Sequence, residues 1–380
     1  MSLMLPVRRV GIDVVRLTRP FTGVGRYLDR LLAEWSRMPL PFDDVVLYTP
    51  APLEPARVHF PLDRFVIEVI PGRGPDPLWE WRALRRRHRD LDLLFGPSYT
   101  LPLGYPGPAV VTYFGPATNP RFSKEWWRAL AYDALYRHSA RRAVRVLTAA
   151  GWVKRRLVET YGVPESRIDV IPLAPAPGFT PEAEPDERER MASAYLGGEK
   201  HYVLFVGKLS GRHAIPSLIE AFGLARAAAA SPVTLLLVGP NAVSLDLPAQ
   251  VRAQGLDGAV LHVPYVPESD LPALYRGADA FVFPASEAEG FGLPILEAMA
   301  CGTPVVSTAL GSVPEVAADA ALLVPDTSVT ALADGLRRVL ADSARRCDLR
   351  GRGLERARQF SWRRTAEETM DALWRATTGK

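Results

Sequence analysis

The chain has 380 residues, of which 48% are hydrophobic and 23% charged, and its 46 basic and 42 acidic residues give a net charge of +4. This length is too great for one ordinary core and predicts two domains of roughly 150–200 residues each. The composition argues against a disordered chain, and the small net charge, with no zinc-finger or RNP-type motif, argues against a nucleic-acid partner.

Cysteine content and hydropathy exclude further classes of protein. Cys301 and Cys347 are the only cysteines and lie far apart in the sequence, which excludes a disulfide framework and argues against a metal cluster. No run reaches the roughly 20 apolar residues that a bilayer-spanning helix needs. We therefore expect a cytoplasmic protein that does not cross a membrane.

Along the first half of the chain, short apolar strands alternate with longer helical stretches, a pattern typical of a doubly wound α/β domain. The predicted strands are Arg9–Val15, Val45–Tyr48, Phe65–Val69, Leu93–Phe95, Val110–Tyr113 and Val144–Leu147. The predicted helices are Val24–Ser36, Leu78–Arg89, Lys124–Ala143 and Val153–Tyr161. Gly23 and Gly25 stand at the start of the first helix, where glycine lets the backbone approach a ligand closely.

A basic run falls within the second predicted helix. From Arg82 to Arg89 the chain holds five arginines and one histidine, next to Trp79 and Trp81. A solvated helix face explains such a run without any function. Peripheral contact with an anionic membrane surface, at the inner face of the membrane, is the alternative.

The two halves are separated by a proline-rich and then acidic stretch from Pro172 to Glu187, which cannot continue a sheet. It predicts an N-terminal domain of residues 1–175, a linker at 176–198 and a C-terminal domain of residues 199–360. A second strand–helix cycle follows the linker. Its predicted strands are Tyr202–Val206, Thr234–Val238, Val260–His262, Ala280–Phe283, Pro304–Ser307 and Ala321–Val324.

The segment from Ser286 to Glu297, with the sequence SEAEGFGLPILE, is the most informative part of the chain. It follows a buried strand, contains a glycine loop and runs into a helix with a proline near its start. Backbone N–H groups and the positive helix end favour a phosphate at this point. Because carboxylates would repel a phosphate, we expect Glu289 and Glu297 to accept hydrogen bonds from sugar hydroxyls.

This segment, the preceding stretch from Val266 and the later Val313-Pro-Glu315 together resemble the retaining glycosyltransferases of family four, the mannosyltransferase-like group 1 enzymes. The resemblance covers nearly the full chain, from Gly11 to the last helix. It implies the GT-B fold, an α/β architecture of two Rossmann-like doubly wound domains facing a cleft. It also implies that the C-terminal helix, within residues 361–380, crosses back to pack on the N-terminal domain.

The resemblance also implies a donor site. Glu297 would hold the ribose hydroxyls, and the backbone around Phe291 would face the sugar or the diphosphate. The segment around Tyr265 would meet the base, and the loop at Gly23 would face the donor phosphate and the acceptor. The full set of implied substrate-binding residues is Gly23, Gly25, Tyr265, Val266, Gly290, Phe291, Gly292, Leu293 and Glu297.

The implied catalytic residues are Lys208, Arg212, His213 and Glu289. Cations after the strand at Tyr202–Val206 would neutralise the diphosphate leaving group, and Glu289 would hold hydroxyls of the donor sugar. Family members usually have arginine where Lys208 stands, and lysine where His213 stands. Lys208 keeps the charge but loses bidentate geometry. For His213, a role in capping the next helix remains an alternative.

The chain departs from the family pattern mainly in its N-terminal half. The family's usual His-Asp pair is replaced by Phe114 and Gly115, and its usual Ser-Glu pair by Ala150 and Gly151. An Asp-x-Asp pattern at Asp90–Asp92 precedes a buried strand and does not predict a metal site. The donor side therefore matches the family more closely than the acceptor side does.

The function implied by the resemblance is retaining transfer of a hexosyl unit from a GDP- or UDP-sugar. The acceptor would be a hydroxyl of a glycan, a lipid-linked molecule or a small molecule, in polysaccharide, glycolipid or natural-product glycan synthesis. No metal and no cofactor is expected besides the nucleotide diphosphate sugar, which is the donor substrate. The departures at Phe114 and Gly115 leave an alternative, a nucleotide-sugar-binding partner subunit or sensor with weak or no catalysis.

Overall fold

A computed structural model describes residues 8–19, 23–72, 74–115, 126–242, 245–287 and 289–378. The chain divides into two compact units, residues 1–173 with 362–380, and residues 174–361. Each unit has a parallel sheet with helices in the connections. The α/β class predicted from the sequence is confirmed.

The N-terminal unit contains a seven-stranded sheet with the strand order β3-β2-β1-β4-β5-β6-β7. Its strands are β1 Arg9–Asp13, β2 Asp44–Thr49, β3 Val66–Val69, β4 Leu93–Gly96, β5 Ala109–Tyr113, β6 Arg145–Thr148 and β7 Ile168–Val170. All six predicted strands are present, because buried parallel strands read as continuous apolar runs. The strand order reverses between β1 and β4, the two central neighbours.

The first four helices also belong to the N-terminal unit. They are α1 Gly23–Trp35, α2 Asp76–Leu84, α3 Trp126–Arg142 and α4 Gly151–Arg156, and a π-helical turn at Leu157–Tyr161 extends the last. The prediction that α2 reaches Arg89 is wrong. It ends at Leu84 and is followed by a 3-10 turn, in which Arg87 forms an ion pair with Glu68 and lies over the ring of Tyr48.

The C-terminal unit contains a six-stranded sheet with the order β10-β9-β8-β11-β12-β13. Its strands are β8 Tyr202–Val206, β9 Thr234–Val238, β10 Val260–Val263, β11 Ala280–Phe283, β12 Val305–Thr308 and β13 Leu322–Val324, as the sequence predicted. Its helices are α5 Glu187–Tyr195, α6 Ile215–Ala225, α7 Leu247–Ala253, α8 Leu271–Gly277, α9 Leu293–Ala300, α10 Val313–Ala317, α11 Val329–Leu340 and α12 Ser343–Ala357. Here the order reverses between β8 and β11.

The last helix, α13 (Trp362–Thr378), returns to the N-terminal unit. The indole N–H of Trp35 donates to the carbonyl of Ala366 over 2.9 Å, and Trp362 packs near Tyr27. The predicted return of the C-terminal helix is therefore confirmed.

Helix α5 lies inside the segment 176–198 that the sequence predicts as a linker. Its first residue, Glu187, accepts two hydrogen bonds from the guanidinium of Arg276 on α8, at 2.8 and 2.5 Å. The pairing is consistent with the pKa of Glu187, which the Arg276 hydrogen bond lowers. This helix therefore packs as part of the C-terminal unit.

Two carboxyl groups are buried together in the N-terminal unit, Asp13 at the end of β1 and Glu80 on α2. Asp13 Oδ1 accepts the N–H of Val15 at 2.9 Å, and Glu80 Oε1 accepts the hydroxyl of Thr100 at 2.7 Å. Burial raises the pKa of Asp13 to about 7 and raises the pKa of Glu80 well above its usual value. The negative charge of Asp13 raises the pKa of Glu80 further, whereas the hydrogen bond with Glu80 lowers the pKa of Asp13. The two side chains also hydrogen-bond each other, so they share a proton near neutral pH.

The Asp13–Glu80 pair makes the free energy of unfolding depend on pH. Because both folded-state pKa values lie above the unfolded ones, the folded chain binds more protons between pH 3.8, the ordinary pKa of an aspartate, and about pH 7. The free energy of unfolding therefore falls as pH rises through that window, by up to about 1.4 kcal/mol per pH unit for each proton. Asp13→Asn keeps an acceptor for the Val15 N–H and removes one titrating group, so we expect a shallower fall.

Urea unfolding midpoints measured from acid to neutral pH check this expectation. Asp63→Asn, an exposed carboxylate of the same unit, is the matched control and should keep the wild-type pH dependence. Equal slopes for Asp13→Asn and the wild type would contradict the shared proton.

Candidate functional site

The C-terminal sheet has one place where its strand order reverses, between β8 and β11. Connections on the two sides of such a point run to opposite faces of the sheet, which leaves a crevice at the carboxyl ends of the strands. The loop after β8 spans residues 207–214, and the loop after β11 spans residues 284–292. Eight of the predicted site residues lie in or next to these loops.

Hydrogen bonds hold the two loops together. The N–H of Ser286 donates to the carbonyl of Arg212 over 2.7 Å, and its hydroxyl donates to the carbonyl of Gly211 over 2.9 Å. Ser286 thereby fixes the position of the arginine that the sequence identified. No sequence pattern marks this serine for such a role, because a serine before a glycine loop is common in any turn.

Three predicted catalytic side chains meet at one point. Arg212 Nη2 lies 3.3 Å from Glu289 Oε1, and His213 Nε2 lies 3.7 Å from the same oxygen. Arg212 Nε also lies 3.4 Å from Glu287 Oε2, a carboxylate that the sequence analysis did not single out. The cluster thus combines the guanidinium and the imidazole, as hydrogen-bond donors, with two carboxylate acceptors.

The orientation of His213 is fixed from both sides. Its Nδ1 lies 2.7 Å from the carbonyl oxygen of Lys208, and because a carbonyl can only accept, Nδ1 carries a proton. The ring packs against Phe205 and Phe283, with centroids at 5.4 and 5.2 Å. Helix α6 begins after Ala214 and receives no side-chain cap. The alternative that His213 caps this helix is therefore wrong.

Lys208, the fourth predicted catalytic residue, is placed differently. Its backbone carbonyl orients His213, while its side chain is exposed to solvent. The structure thus assigns the backbone of Lys208 to the cluster.

The backbone of Glu289 is anchored by a third loop, which follows β12. Both the N–H and the hydroxyl of Ser312 donate to the carbonyl of Glu289, at 3.1 and 3.0 Å. The Glu289 carboxylate is thus held at the ends of three neighbouring strands. No motif in the sequence marks Ser312 for this role, although it directly precedes Val313-Pro-Glu315.

Glu297 lies on α9 and is only 6% exposed. The hydroxyl of Tyr275, a fully buried residue of α8, donates to Glu297 Oε2 over 3.1 Å. This bond orients the carboxylate of Glu297 from within the core. The sequence analysis missed Tyr275, because its position in an apolar helix predicts only a core residue.

The glycine loop passes into α9 through a left-handed residue. Gly292 has φ +86° and precedes Leu293, the first residue of the helix. The neighbouring Gly290 and Phe291 are buried, and Phe291 packs edge-on against Phe360. The first N–H groups of a helix have no partner within it, so those at the start of α9 are suited to an anion.

The remaining predicted residues lie further from this cluster in the chain. Tyr265 follows β10 and is 76% exposed, whereas its neighbour Val266 is buried. Gly23 and Gly25 belong to the N-terminal unit, where Gly23 opens α1 and Gly25 is buried in its first turn. In the ranges described, no three His, Cys, Asp or Glu side chains are grouped so that they could hold a metal ion.

Phe114, which replaces a histidine of the family pattern, is part of an aromatic cluster. Its ring meets Tyr27 edge-on at 4.8 Å and Tyr99 at 6.2 Å. Ala150, another departure, is buried directly before α4. Both departures therefore fill packed positions of the N-terminal unit with apolar side chains.

Two family models match this chain. Residues 186–358 match "Glycosyl transferases group 1", and residues 21–174 match "Glycosyltransferase Family 4", so the two together cover more than four fifths of the sequence. The boundary between the matches falls between residues 174 and 186, close to the boundary between the two compact units. The departures at Phe114 and Ala150 lie within the second match.

Some known proteins resemble this chain in sequence over part of its length, and others resemble its fold over nearly all of it. O-antigen chain mannosyltransferase B of Escherichia coli is 34% identical over 60% of this chain and 59% of its own, and a D-inositol 3-phosphate glycosyltransferase of Arthrobacter sp. (strain FB24) is 32% identical over 60% and 55%. The matches thus span less than two thirds of either relative. Anabaena Alr3699/HepE, solved with UDP and glucose, superposes with a TM-score of 0.74 at 17% identity, over 97% of this chain and 99% of its own.

The Tyr275–Glu297 hydrogen bond can be tested by stability. Tyr275→Phe removes a buried donor from a carboxylate, which should cost about 1.5–3 kcal/mol of unfolding free energy. Tyr202→Phe is the matched control, because the buried Tyr202 hydroxyl donates to a neutral acceptor, the carbonyl of Leu274, at 2.6 Å. We expect a smaller loss there, about 0.5–1.5 kcal/mol. Urea denaturation compares the two, and equal losses would contradict a charged acceptor at Tyr275.

Proposed function

The chain belongs to the group 1 glycosyltransferases, and we propose that it transfers a hexosyl unit from a nucleotide diphosphate sugar to an acceptor hydroxyl with retained anomeric configuration. The observation that carries this proposal is the cluster of Arg212, His213 and Glu289 at the point where the strand order of the C-terminal sheet reverses. The cluster offers the Arg212 guanidinium for a diphosphate and a carboxylate for sugar hydroxyls. These are the two parts of a sugar-nucleotide donor.

A UDP- or GDP-hexose is the proposed donor, bound by the C-terminal unit. The similarity of the fold to a protein solved with UDP and glucose supports a nucleotide sugar, and the E. coli relative supports a mannosyl unit. Glu297, whose carboxylate the Tyr275 hydroxyl orients, would accept hydrogen bonds from the ribose hydroxyls. The exposed ring of Tyr265 would lie by the base. An acceptor in polysaccharide, glycolipid or natural-product glycan synthesis fits the same family.

In the proposed reaction the bond from the anomeric carbon to the diphosphate breaks, and the acceptor oxygen bonds to that carbon on the same face. The leaving phosphate oxygen takes the acceptor proton, so no side chain has to act as the base. Negative charge grows on the diphosphate in the transition state, and the Arg212 guanidinium offsets it. We propose that this cation does so without a metal ion or a further cofactor.

The ion pairs of Arg212 suit this role. Glu287 and Glu289 contact the guanidinium at 3.4 and 3.3 Å, and the Arg212 side chain is only about one third exposed. A diphosphate would compete with these carboxylates for the same donors, and Glu289 would then be free to accept from the donor sugar. Because His213 is fixed through Nδ1, its Nε2 would face the same ligand.

We also propose peripheral contact of the N-terminal unit with an anionic membrane. Leu78, Trp81, Arg82 and Arg85 follow helical spacing on α2 and its end, so they share one face. Trp81 is 39% exposed, and the 48%-exposed Leu103 precedes Gly104, against which the Arg85 guanidinium lies. Apolar side chains beside exposed arginines suit a lipid surface with negative headgroups. Within the described residues no helix has the length and hydropathy to span a bilayer.

The transferase proposal is tested by pairing donor binding with turnover. Thermal shift with a panel of UDP- and GDP-sugars identifies the donor, since a ligand stabilises the folded state according to its affinity. Transfer of labelled sugar to glycan and lipid extracts, together with donor hydrolysis, measures turnover. Binding without turnover on any acceptor would overturn the enzyme proposal and favour a nucleotide-sugar-binding partner or sensor.

Arg212→Ala should lower turnover about 10²- to 10³-fold, because its charge acts mainly on the leaving group. Nucleotide affinity should fall less, about tenfold or below, so the loss lies chiefly in kcat. Arg345→Ala, an exposed arginine paired with Asp342 on the surface of the same unit, is the control and should match the wild type. Unchanged turnover in Arg212→Ala would remove this assignment.

Cosedimentation with phosphatidylglycerol vesicles tests the membrane proposal. The triple variant Trp81→Ala, Arg82→Ala, Arg85→Ala should release the protein, because each basic side chain contributes about 1 kcal/mol near an anionic surface. Phosphatidylcholine vesicles should bind neither protein.

The matched control takes the same kinds of residue from another surface. Leu224→Ala with Arg338→Ala and Arg345→Ala also removes one exposed apolar side chain and two exposed charges. Its cosedimentation should equal that of the wild type. The proposed contact would be overturned if the wild-type protein did not cosediment with anionic vesicles, or if the two triple variants lost cosedimentation to the same extent.

A further inference from the structure

The N-terminal unit contains a cavity of about 320 Å³ that no function described so far uses. It lies where the strand order of the N-terminal sheet reverses, because Arg16 follows β1 while Ser98 and Thr100 follow β4. This is the place at which ligands of open α/β sheets bind. The C-terminal unit has its candidate site at the corresponding reversal between β8 and β11.

The polar lining of the cavity offers both donors and acceptors. Asp76 contacts the guanidinium of Arg16 at 3.3 Å and that of Arg19 at 2.6 Å. Ser98 and Tyr136 also line the cavity. A ligand with several hydroxyl groups could both donate to the carboxylate and accept from the guanidinium groups.

Two buried polar atoms of this lining lack a partner. Ser98 is only 3% exposed, and its hydroxyl has no hydrogen-bond partner among the residues that the structure describes. The same holds, within those residues, for Nε of Arg16. Buried polar groups are nearly always paired, so orphaned atoms on a cavity wall indicate a ligand that satisfies them.

The loop that presents Ser98 is held rigidly. Tyr99 has φ +70°, a left-handed conformation that non-glycine residues seldom adopt. Its N–H donates to the carbonyl of Thr112 at 3.2 Å, and its carbonyl accepts the hydroxyl of Tyr113 at 3.1 Å. Its ring stacks on Tyr136 with centroids 5.2 Å apart. Since the surroundings enforce this backbone, the position of Ser98 is set before any ligand binds.

The charges around the cavity nearly cancel. Arg16 and Arg19 are positive, Asp76 is negative, and Thr100 of the lining bonds the buried Asp13–Glu80 pair, which shares a proton. A phosphate would meet as much negative as positive charge here. A neutral ligand rich in hydroxyl groups has no such repulsion. A volume of about 320 Å³ lies at the small end of ligand pockets, which suits a single ring.

We propose that this cavity binds one neutral, hydroxyl-rich sugar unit through Arg16, Asp76 and Ser98. Where that unit is part of the acceptor, the proposal rests on the transferase function proposed above and adds the chemical class of the acceptor. Binding of the sugar itself does not depend on any transfer.

Ligand-observed NMR with the full chain tests the site, with methyl glycosides of mannose, glucose, galactose and rhamnose as probes and inorganic phosphate as the charged competitor. We expect at least one glycoside to bind, phosphate not to displace it, and Ser98→Ala to weaken binding about threefold to tenfold. Binding of no glycoside, displacement by phosphate, or unchanged affinity in Ser98→Ala would overturn the proposal.

Thr148→Val is the matched control. Thr148 is buried in the same sheet, and its hydroxyl also lacks a partner within the described part of the chain, but it does not line the cavity. This variant should bind glycosides as the wild type does, and an equal loss in both variants would overturn the proposal. Both substitutions remove an unsatisfied hydroxyl, so neither should lower the thermal stability.

A second variant separates this site from the donor site. Glu289→Gln should keep the wild-type affinity for the methyl glycoside. If this variant no longer binds the glycoside, the glycoside binds to the C-terminal unit, and the proposal is overturned. Glycoside binding that depends on Ser98 in a protein without transferase activity would support this site and reject the proposed function. If Ser98→Ala leaves the glycoside affinity unchanged while the protein turns over its donor, the proposed function stands and this sugar site is rejected.

Discussion

One topological constraint positions the functional groups of both units: the reversal of strand order within a parallel sheet. Where the order reverses, the connections of two neighbouring strands leave on opposite faces, so nothing covers the carboxyl ends of that pair. In the C-terminal sheet the pair is β8 and β11, and in the N-terminal sheet it is β1 and β4. The charged cluster of one unit and the polar cavity of the other lie at these two points.

At the C-terminal reversal, the loops satisfy one another's polar groups before any ligand is present. Ser286 and Ser312 fix the backbone of Arg212 and Glu289, and the guanidinium lies between two carboxylates. Partly buried charges need such partners, because an unpaired one would be costly. The backbone contacts of Ser286 and Ser312 thus fix where the guanidinium and the Glu289 carboxylate meet, 3.3 Å apart.

The sequence predicted the sheets better than the contacts within the site. Buried parallel strands are apolar runs, so all twelve predicted strands are present. The sequence did not predict β7, which is only three residues long and has Asp169 at its centre, paired with Arg145 of the neighbouring strand β6. The motif between Ser286 and Glu297 located the cluster. Tyr275 and Ser312 could not be found this way, because their roles depend on which neighbouring element each side chain meets.

In the N-terminal unit, the packing of Phe114 gives a physical reason for its departure from the family pattern. Phe114, which stands where the family has a histidine, packs against Tyr99, and Tyr99 in turn stacks on Tyr136. This aromatic stack supports the left-handed turn that places Ser98 on the cavity wall. Polar groups are thus absent at Phe114 but concentrated at Arg16, Asp76 and Ser98, at the strand reversal. The apolar ring at position 114 is connected to the polar cavity through this stack, because Tyr99 contacts Phe114 on one side and the lining residue Tyr136 on the other.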